Sequence, residues 1–244
     1  KRLTAFGGFA TSGNANGNTI TVSGGDGKGS VYLNGGVTMS STGNATGNTV
    51  VIYAAAPLTV AAGGAYLTGN KSSGFTWSKT NSGDLRTGNK LLLAASGISA
   101  QNIYNFETVA FHLPASASGS TMLTLTDGSD SDLGDAKIEI TADGNAALSS
   151  GQTIQLVSSN SALNYTGAAS GTLRQGVTLQ YGYTLNNSTN SLSASLGQAT
   201  VNSESKSLVE TRDAQSAFIN RGADLLITQG FEQADHAANT ERKS

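Results

Sequence analysis

A Gly-Asn repeat limits the folds open to this chain more than any other feature of its sequence. Residues 13–22 (GNANGNTITV) recur 30 positions later as residues 43–52 (GNATGNTVVI), and a looser third copy spans residues 87–93 (TGNKLLL). Each copy places a Gly-Asn corner before a β-branched or apolar run, and both residue types tolerate the positive φ of a tight turn. Strands that follow corners at a regular spacing can stack on one another, which predicts a β-solenoid.

Further short strand candidates lie between the copies. They span residues 31–33, 37–39, 58–61, 65–67 and 75–77. Runs this short, bounded by Gly or Asn, suit the rungs of a parallel β-helix, and the alanines at 54–56 and 61–62 suit its tight interior corners. A β-sandwich or β-barrel also contains many short strands and stays open as the alternative.

From about Asn105 the pattern changes to strict alternation of apolar and polar residues. Residues 105–113 (NFETVAFHL) place Val109, Phe111 and Leu113 on one apolar face, as expected of a half-buried strand. The same pattern recurs in residues 121–126, 136–141 and 153–157.

A longer alternating run at residues 177–185 is followed by Asn186-Asn187 and a second run at residues 191–196. Two strands joined by an Asn-rich turn predict a β-hairpin. We expect this hairpin to cover the last rung, whose open edge would otherwise pair with other chains.

The tail differs again, because residues 201–244 hold 12 of the 30 charged residues. Ser207 and Glu210 form a capping box that predicts a helix start, and Gly230 predicts its end. Gly222 destabilises the middle of this predicted helix by about 1 kcal/mol relative to Ala. Apolar residues recur at roughly helical spacing: Leu208, Ala214, Ala217, Phe218, Leu225 and Leu226.

These patterns predict an all-β fold, a right-handed parallel β-helix (solenoid) with a C-terminal β-hairpin cap and a terminal α-helix. We expect β-helix rungs over residues 1–103 and a C-terminal cap over residues 104–201. A helix over residues 202–236 and a tail over residues 237–244 complete the chain.

Composition excludes several classes of protein. With 12% charged residues and only 2 Pro, the chain is unlike a disordered linker, and it lacks the long helix-forming runs of an α/β enzyme. A net charge of −2 gives no basic field for nucleic acid, so we expect no nucleic-acid partner. No apolar run approaches the roughly 20 residues of a membrane-spanning helix. The absence of Cys is compatible with export through a narrow pore.

A search for catalytic residues finds little. His112 lies in an alternating strand and His236 in a polar tail, and neither has a Ser-and-acid setting that would indicate a triad. The first 100 residues contain only two acidic residues, Asp26 and Asp84, too few for paired-carboxylate hydrolysis. We therefore expect that the chain is not an enzyme and that it has no catalytic residues and no cofactor.

The acidic segment from Asp127 to Asp135 is the only candidate metal loop in the sequence. Its oxygen ligands could hold calcium, but the spacing lacks the closing Glu of an EF-hand, so a solvated turn is the simpler interpretation. Residues 25–30 (GDGKGS) lack the spacing of a phosphate-binding loop, and residues 221–224 (RGAD) are not an integrin tripeptide. No metal site is predicted.

Three segments in this order resemble the autotransporter family of type V secretion. Residues 17–25 (GNTITVSGG) are similar to the repeats of its passenger domains. Residues 102–114 (NIYNFETVAFHLP) resemble the junction before the C-terminal passenger region. Residues 206–214 (KSLVETRDA) and 218–225 (FINRGADL) resemble the segment that leads into the barrel and are the most specific part of the likeness.

The resemblance implies a β-helical passenger carried through its own C-terminal outer-membrane β-barrel, which we expect to lie beyond Ser244. It implies that residues 104–201 act as an autochaperone-like folding nucleus and that residues 202–236 form the linker helix inside the barrel. The expected location is the Gram-negative cell surface, or the medium after secretion through the periplasm. The expected role is a non-enzymatic surface stalk in an adhesin or self-association factor that contacts a host or bacterial glycan or protein.

Two rival functions remain open from the sequence. The chain could be the stalk of a polysaccharide-active β-helix enzyme whose catalytic rungs lie upstream of Lys1. A trimeric autotransporter stalk would need sustained heptads, which one short helix broken at Gly222 does not supply.

Overall fold

A computed structural model describes residues 2–24, 30–53, 65–72, 82–115, 119–126 and 131–241 of the 244-residue chain. These residues form two compact units, Lys1–Thr200 and Val201–Ser244. The first consists of strands and turns, and the second is dominated by a helix. The prediction of a mostly β chain that ends in a helix is confirmed.

The strands are β1 (Arg2–Ala10), β2 (Thr19–Val22), β3 (Ser30–Thr38), β4 (Thr49–Ile52), β5 (Ala65–Ser72), β6 (Lys90–Leu93), β7 (Ile98–Ala100), β8 (Asn102–Tyr104), β9 (Thr108–Leu113), β10 (Leu123–Leu125), β11 (Ser131–Gly134), β12 (Lys137–Ala142), β13 (Thr153–Ser159), β14 (Leu163–Tyr165), β15 (Ser170–Gln175), β16 (Leu179–Ser188) and β17 (Ser191–Val201). The helices are α1 (Ser203–Leu225) and α2 (Phe231–Glu241), joined by a wide π-type turn at Leu226–Gly230. Two strands predicted at residues 31–33 and 37–39 are one continuous strand, β3. The strands predicted at residues 58–61 and 75–77, and the alanine corners, lie outside the described residues.

Eleven strands form one mixed sheet in the order β2-β4-β6-β9-β12-β15-β16-β17-β13-β10-β7. The run from β2 to β15 is parallel, as is the run β13-β10-β7. The strands β16 and β17 join the two runs, and each is antiparallel to the run that it meets. Two smaller parallel sheets, β1-β3-β5-β8 and β11-β14, complete the first unit.

The register of the parallel run places similar residues in columns. One column joins Ile20, Val50, Leu91, Val109 and Ile138, and the next joins Val22, Ile52, Leu93, Phe111 and Ile140. Alternate residues of a strand point to opposite faces, so both columns point to the same side of the sheet. From β4 to β12 their members are at most 6% exposed, and each contributes about 1.5–3 kcal/mol by leaving water.

The Gly-Asn corners stack in the same register. Gly17, Gly47 and Gly88 have φ of 68°, 65° and 70°, which favours glycine at each corner. A Cβ atom on Gly88 would lie 3.2 Å from the Cα atom of Gly47, so the stack also needs the missing side chain. The third copy, identified from the sequence only as a loose match, stacks on the other two.

A chain of asparagine side chains runs beside these glycines. The main-chain N–H and the Nδ2 of Asn18 each donate to Asn48 Oδ1 at 2.9 Å. The N–H of Asn48 donates in turn to Asn89 Oδ1 at 2.8 Å. The Nδ2 of Asn89 donates to three carbonyl oxygens, those of Leu85, Ala45 and Asn105, at 2.7, 3.0 and 3.1 Å. One residue type thereby satisfies the main chain of successive corners.

The predicted C-terminal hairpin exists, but its turn is wrong by three residues. The strand β16 passes through Asn186-Asn187 to Ser188, and the turn is Thr189-Asn190. Alternate burial of Tyr181, Tyr183 and Leu185 continues the strand pattern up to these asparagines. The Nδ2 of Asn186 donates across the hairpin to Ser195 Oγ at 2.8 Å, so this residue pairs strands rather than turning the chain.

The terminal helix begins where the predicted 202–236 segment begins and extends beyond its predicted end. Its first residue is Ser203, directly after Asn202, a residue type that favours the N-cap, so the capping box at Ser207 lies inside the helix. Gly230 does not end it, because Phe231 keeps α-helical angles (φ −71°, ψ −38°) and the helix runs to Glu241. The Thr228 hydroxyl donates to the Asp224 carbonyl at 2.6 Å, and such side-chain bonds within a helix accompany irregular turns.

We expect Asn89→Ala to lower the free energy of unfolding by about 3 kcal/mol, because one buried amide loses three donated bonds and one accepted bond. Urea denaturation of the full chain measures this loss. The matched control is Asn16→Ala, since Asn16 is exposed and accepts a single bond from the Thr46 N–H at 3.0 Å. The control should lose less than about 1 kcal/mol, and equal losses in the two variants would contradict a special role for the buried chain.

Candidate functional site

The outward side of the sheet from β6 to β15 carries a cluster of charged side chains. Lys90 on β6 and Lys137 on β12 lie in the same register row, separated by Thr108 of β9. The carboxylate of Glu139 lies 2.7 Å from Lys90 Nζ and 2.8 Å from Lys137 Nζ. Ala110 is the register partner of Glu139 on β9 and is small and buried, so Lys90, whose own partner is Thr108, reaches Glu139 diagonally across β9.

The two lysines keep Glu139 ionised. Hydrogen bonds from Lys137 and then from Lys90 hold the pKa of Glu139 below its usual value. The same bond to Glu139 raises the pKa of Lys137. Both oxygens of the single carboxylate are therefore occupied by cations, and the cluster keeps an excess of positive charge.

His112 lies between a hydroxyl and a carboxylate on the same outward face. Its Nδ1 is 2.9 Å from Thr141 Oγ1, and its Nε2 is 2.9 Å from Asp143 Oδ1. The register pairs His112 with Thr141, and Asp143 follows two residues later on the same face of the chain. These two partners could not be identified from the sequence, because they lie 29 and 31 residues away from His112. The three groups tie β9 to β12 on the open surface of the sheet.

A cleft opens where the parallel run ends. The strands β12 and β15 pair only at Thr141 with Arg174 and at Ala142 with Gln175, and they separate before these residues. The resulting cleft has a volume of about 530 Å³. Its polar lining includes Lys137, Glu139, Thr141, Ser170, Thr172 and Arg174.

Tyr183 of β16 spans the floor of this cleft. Its hydroxyl donates to the Ile138 carbonyl of β12 at 2.8 Å. The ring crosses Gly171 of β15, where a Cβ atom would lie 2.4 Å from the hydroxyl oxygen. Burial, with smaller contributions from Tyr165 and Glu139, raises the pKa of Tyr183 to about 12, so the hydroxyl stays a donor at neutral pH.

A second cavity of about 300 Å³ lies beside the third Gly-Asn corner. Arg86 spans part of it and pairs with Asp135 at 2.5 Å between Nη2 and Oδ1. Asn105, with φ of 59°, contributes to the wall, and the nearby Glu107 carboxylate accepts the Gly88 N–H. Arg86 and Asp135, both in the lining of this cavity, are thus bonded to each other.

The predicted acidic loop is only partly described. Asp127 and the three residues after it lie outside the described residues, and β11 occupies Ser131–Gly134. Asp135, at the end of the segment, is used in the ion pair with Arg86. Within the described ranges, no group of three or more His, Cys, Asp or Glu residues could hold a metal ion.

The remaining sequence candidates lie apart from the charged cluster. Asp84 accepts the N–H groups of Arg86 and Thr87 at 2.9 and 3.0 Å, and bonds to Thr87 and Arg86 lower its pKa, as expected of a turn residue. His236 is exposed on α2, and residues 221–224 form part of α1. Residues 25–29, including Asp26, lie outside the described residues.

Comparisons with known proteins identify no relative. No family model matches the chain, and no curated protein and no solved structure shows a significant match. Among the helices of the described residues, none is long and apolar enough to cross a membrane.

We expect the contribution of Tyr183 to stability to disappear at alkaline pH. A pKa raised from 10.0 to about 12 stabilises the fold fully below pH 10, and this contribution is lost as the pH rises towards 12. Urea denaturation at pH 7 should show Tyr183→Phe to be less stable than the parent by about 1–3 kcal/mol. At pH 11 this difference should shrink by about 1.4 kcal/mol.

The control for this experiment is Tyr181→Phe. Tyr181 is equally buried, but its hydroxyl makes only a long bond of 3.4 Å to the Leu148 carbonyl. The loss of unfolding free energy in Tyr181→Phe at pH 7 should be smaller than that in Tyr183→Phe. If the difference in unfolding free energy between the parent and Tyr183→Phe were the same at pH 7 and pH 11, it would contradict the role given to the buried hydroxyl.

Proposed function

We propose that this chain is the C-terminal part of an autotransporter passenger, a non-enzymatic surface stalk that also serves as the folding nucleus during export. The proposal takes the first unit as a right-handed parallel β-helix and the second as the linker helix that leads into an outer-membrane β-barrel. The observation that carries it is the order of parts: a register-matched parallel stack, an antiparallel hairpin at its C-terminal end, and then an exposed helix.

The strand order supports the solenoid. Between β1 and β6 the chain alternates between the four-stranded sheet and the long sheet, and each strand pairs with the one two positions back. Further along, β8, β9 and β10 are followed by β11, β12 and β13, and then by β14 and β15. In this part, β12 pairs with β9, β13 with β10, β14 with β11 and β15 with β12, all in parallel. A chain that returns to the same sheets in turn at intervals of 18 to 41 residues is typical of a coiled repeat.

The hairpin supports a role as folding nucleus. The strand β16 pairs with β15 and the strand β17 pairs with β13, so the hairpin closes both parallel runs at their C-terminal ends. Leu192 and Ala194 of β17 are fully buried. In a stack where each repeat contacts mainly its neighbours, a closed end offers a template for the next strand. Folding by addition of successive strands to this template needs no energy source, so it can take place outside the outer membrane.

The helix supports the link to a barrel. Its apolar side chains Phe218, Ile219, Leu226 and Phe231 are 81%, 68%, 68% and 66% exposed within the unit as described. Exposed large apolar groups in this number mark a surface that is covered by a partner. We propose the inner wall of the protein's own barrel as that partner, which places the first unit on the cell surface or, after release, in the medium. The stalk would then present an adhesive or self-associating surface to a glycan or protein.

A folding experiment tests the nucleus. We expect Leu192→Ala, which opens a cavity in the hairpin, to cost about 2–5 kcal/mol and to remove protection from hydrogen exchange along the whole parallel run. The matched control is Val50→Ala, an equally buried residue of β4 near the other end of the parallel run. It should lower protection in β2 and β4 while β12 to β17 keep theirs. Equal loss of protection in both variants would argue against a C-terminal nucleus.

An export experiment tests the family assignment. The chain joined to an autotransporter β-barrel and made in a Gram-negative cell should reach the surface, where external protease removes it from intact cells. With Leu192→Ala the chain should accumulate at the periplasmic side, whereas Val50→Ala should still be exposed. A folded parent chain that never reaches the surface would overturn the proposal.

A further inference from the structure

The histidine of β9 lies between a hydroxyl group and a carboxylate, at hydrogen-bond distance from both. Its Nδ1 is 2.9 Å from Thr141 Oγ1, and its Nε2 is 2.9 Å from Asp143 Oδ1. Because a carboxylate only accepts hydrogen bonds, the proton of the neutral His112 imidazole is on Nε2. Nδ1 then carries the free electron pair and accepts the hydrogen bond of the Thr141 hydroxyl. A hydroxyl, a base and a group that orients the base are therefore linked in sequence, which is the arrangement of an activated nucleophile.

The parallel ladder between β9 and β12 fixes the positions of all three groups. The register pairs Thr141 with His112 and Ala142 with Leu113. The N–H of Asp143 donates to the Leu113 carbonyl at 3.0 Å, which extends the ladder to the residue that carries the carboxylate. Thr141 and Asp143 are two residues apart on one strand, so their side chains lie on the same face. Main-chain bonds on both sides of the imidazole thus hold the arrangement.

The Thr141 hydroxyl is accessible from the side opposite to the imidazole. The strands β9 and β15 flank β12 on its two sides, with His112 on β9 and the cleft of about 530 Å³ between β12 and β15. Thr141 is exposed and forms part of the lining of this cleft. The side chains of His112 and Asp143 are 34% and 44% exposed, so the base can exchange protons with water. A small molecule in the cleft can therefore reach the hydroxyl while the imidazole keeps its bond to it.

We propose that Thr141 is an acyl-acceptor site, with His112 as its general base and Asp143 as the residue that positions the base. The Thr141 hydroxyl oxygen attacks the carbonyl carbon of an activated ester, and the hydroxyl proton passes to His112 Nδ1. A new C–O bond forms to Thr141, and the bond between the carbonyl carbon and the leaving alcohol breaks. The proton then moves from His112 to the leaving group. The products are an acylated Thr141 and the free alcohol.

The acyl group stays on the protein because the product ester is much less reactive than the donor. A threonine alkoxide is a far poorer leaving group than a phenoxide or a thiolate, and the methyl group on the threonine Cβ crowds the ester carbonyl. The site therefore gives the chain a point of covalent attachment without catalytic turnover. This property goes beyond the stalk function and does not depend on it, because it requires only the folded contact between β9 and β12.

The test treats the full chain with p-nitrophenyl acetate at pH 8 and follows acetylation of each residue by peptide mass spectrometry. We expect Thr141 to be acetylated roughly a hundredfold faster than Thr153, the gain that a positioned base supplies. Thr153 is the internal control, because it is an exposed strand threonine whose hydroxyl lies 3.4 Å from another hydroxyl, Ser195 Oγ. The difference in p-nitrophenol release between the parent and Thr141→Val should stop at about one equivalent per chain.

Variants of the chain separate the roles of the three groups. His112→Gln should lower the acetylation rate of Thr141 roughly a hundredfold, and Asp143→Asn should lower it roughly tenfold. Thr141→Ser keeps a hydroxyl and should still be acetylated at this position. The matched control Thr153→Val should leave the rate at Thr141 unchanged. Far-UV circular dichroism checks that each variant is folded.

The pH dependence gives a readout that a purely structural contact would not show. A protonated imidazole cannot take the hydroxyl proton, so the ratio of the Thr141 rates in the parent and in His112→Gln should shrink towards unity by pH 5. The charged groups nearest to this pair are Asp143, which contacts the imidazole, and Arg174, the register partner of Thr141 on β15. Both are present in the parent and in His112→Gln, so the ratio isolates the imidazole.

Three results would overturn the proposal. The first is equal acetylation rates at Thr141 and Thr153, and the second is an unchanged Thr141 rate in folded His112→Gln. The third is release of p-nitrophenol from Thr141 that continues beyond the first equivalent, which would assign the three groups to ester hydrolysis instead of acyl acceptance.

Discussion

The hydrogen-bonded chain of Asn18, Asn48 and Asn89 is the interaction on which the parallel stack depends. Each asparagine follows a glycine with positive φ. The side chains of Asn48 and Asn89 bond to main-chain groups of the preceding corner, and the side chain of Asn18 bonds to that of Asn48. Corner groups buried in a stack have no access to water, and unpaired they would cost about 1–3 kcal/mol each. The asparagine chain satisfies these groups and, by doing so, fixes the register of the strands that follow.

That register determines what meets on each face of the long sheet. On the inner face it aligns apolar columns, with Leu91, Val109 and Ile138 in one of them. On the outer face the same register brings Lys90, Glu139 and Lys137 together and places His112 opposite Thr141. The charged surface is therefore a consequence of the stack, since no local motif in the sequence assembles it.

The stack ends in two different ways along the chain. At β15 the parallel run opens over Tyr183 and leaves the cleft, and the hairpin of β16 and β17 then closes the sheet with antiparallel pairs. Closure protects the last strands from pairing with other chains. The proposed export function depends on the closed end.

Local signals explain what could be predicted from the sequence. The period of two marked β9 and the burial of Val109, Phe111 and Leu113, because alternation is a property of neighbouring residues. The Gly-Asn copies marked the corners for the same reason. The hairpin turn and the C-terminal end of the helix were misplaced, since Asn186 and Gly230 carry turn propensities that pairing across the hairpin and continuation into Phe231 override.

The sequence by itself determined the strand-rich composition, the stacking corners and the presence of a terminal helix, all of which depend on residues close together in the chain. Only the tertiary structure decided which distant residues became neighbours. The contacts of His112 with Thr141 and Asp143, of Tyr183 with Ile138, and of Arg86 with Asp135 join segments separated by 29 to 49 residues. The physical reason is that paired strands of the long sheet are separated by 18 to 41 residues along the chain. The register is therefore set by hydrogen bonds between corners and strands and not by a constant repeat length.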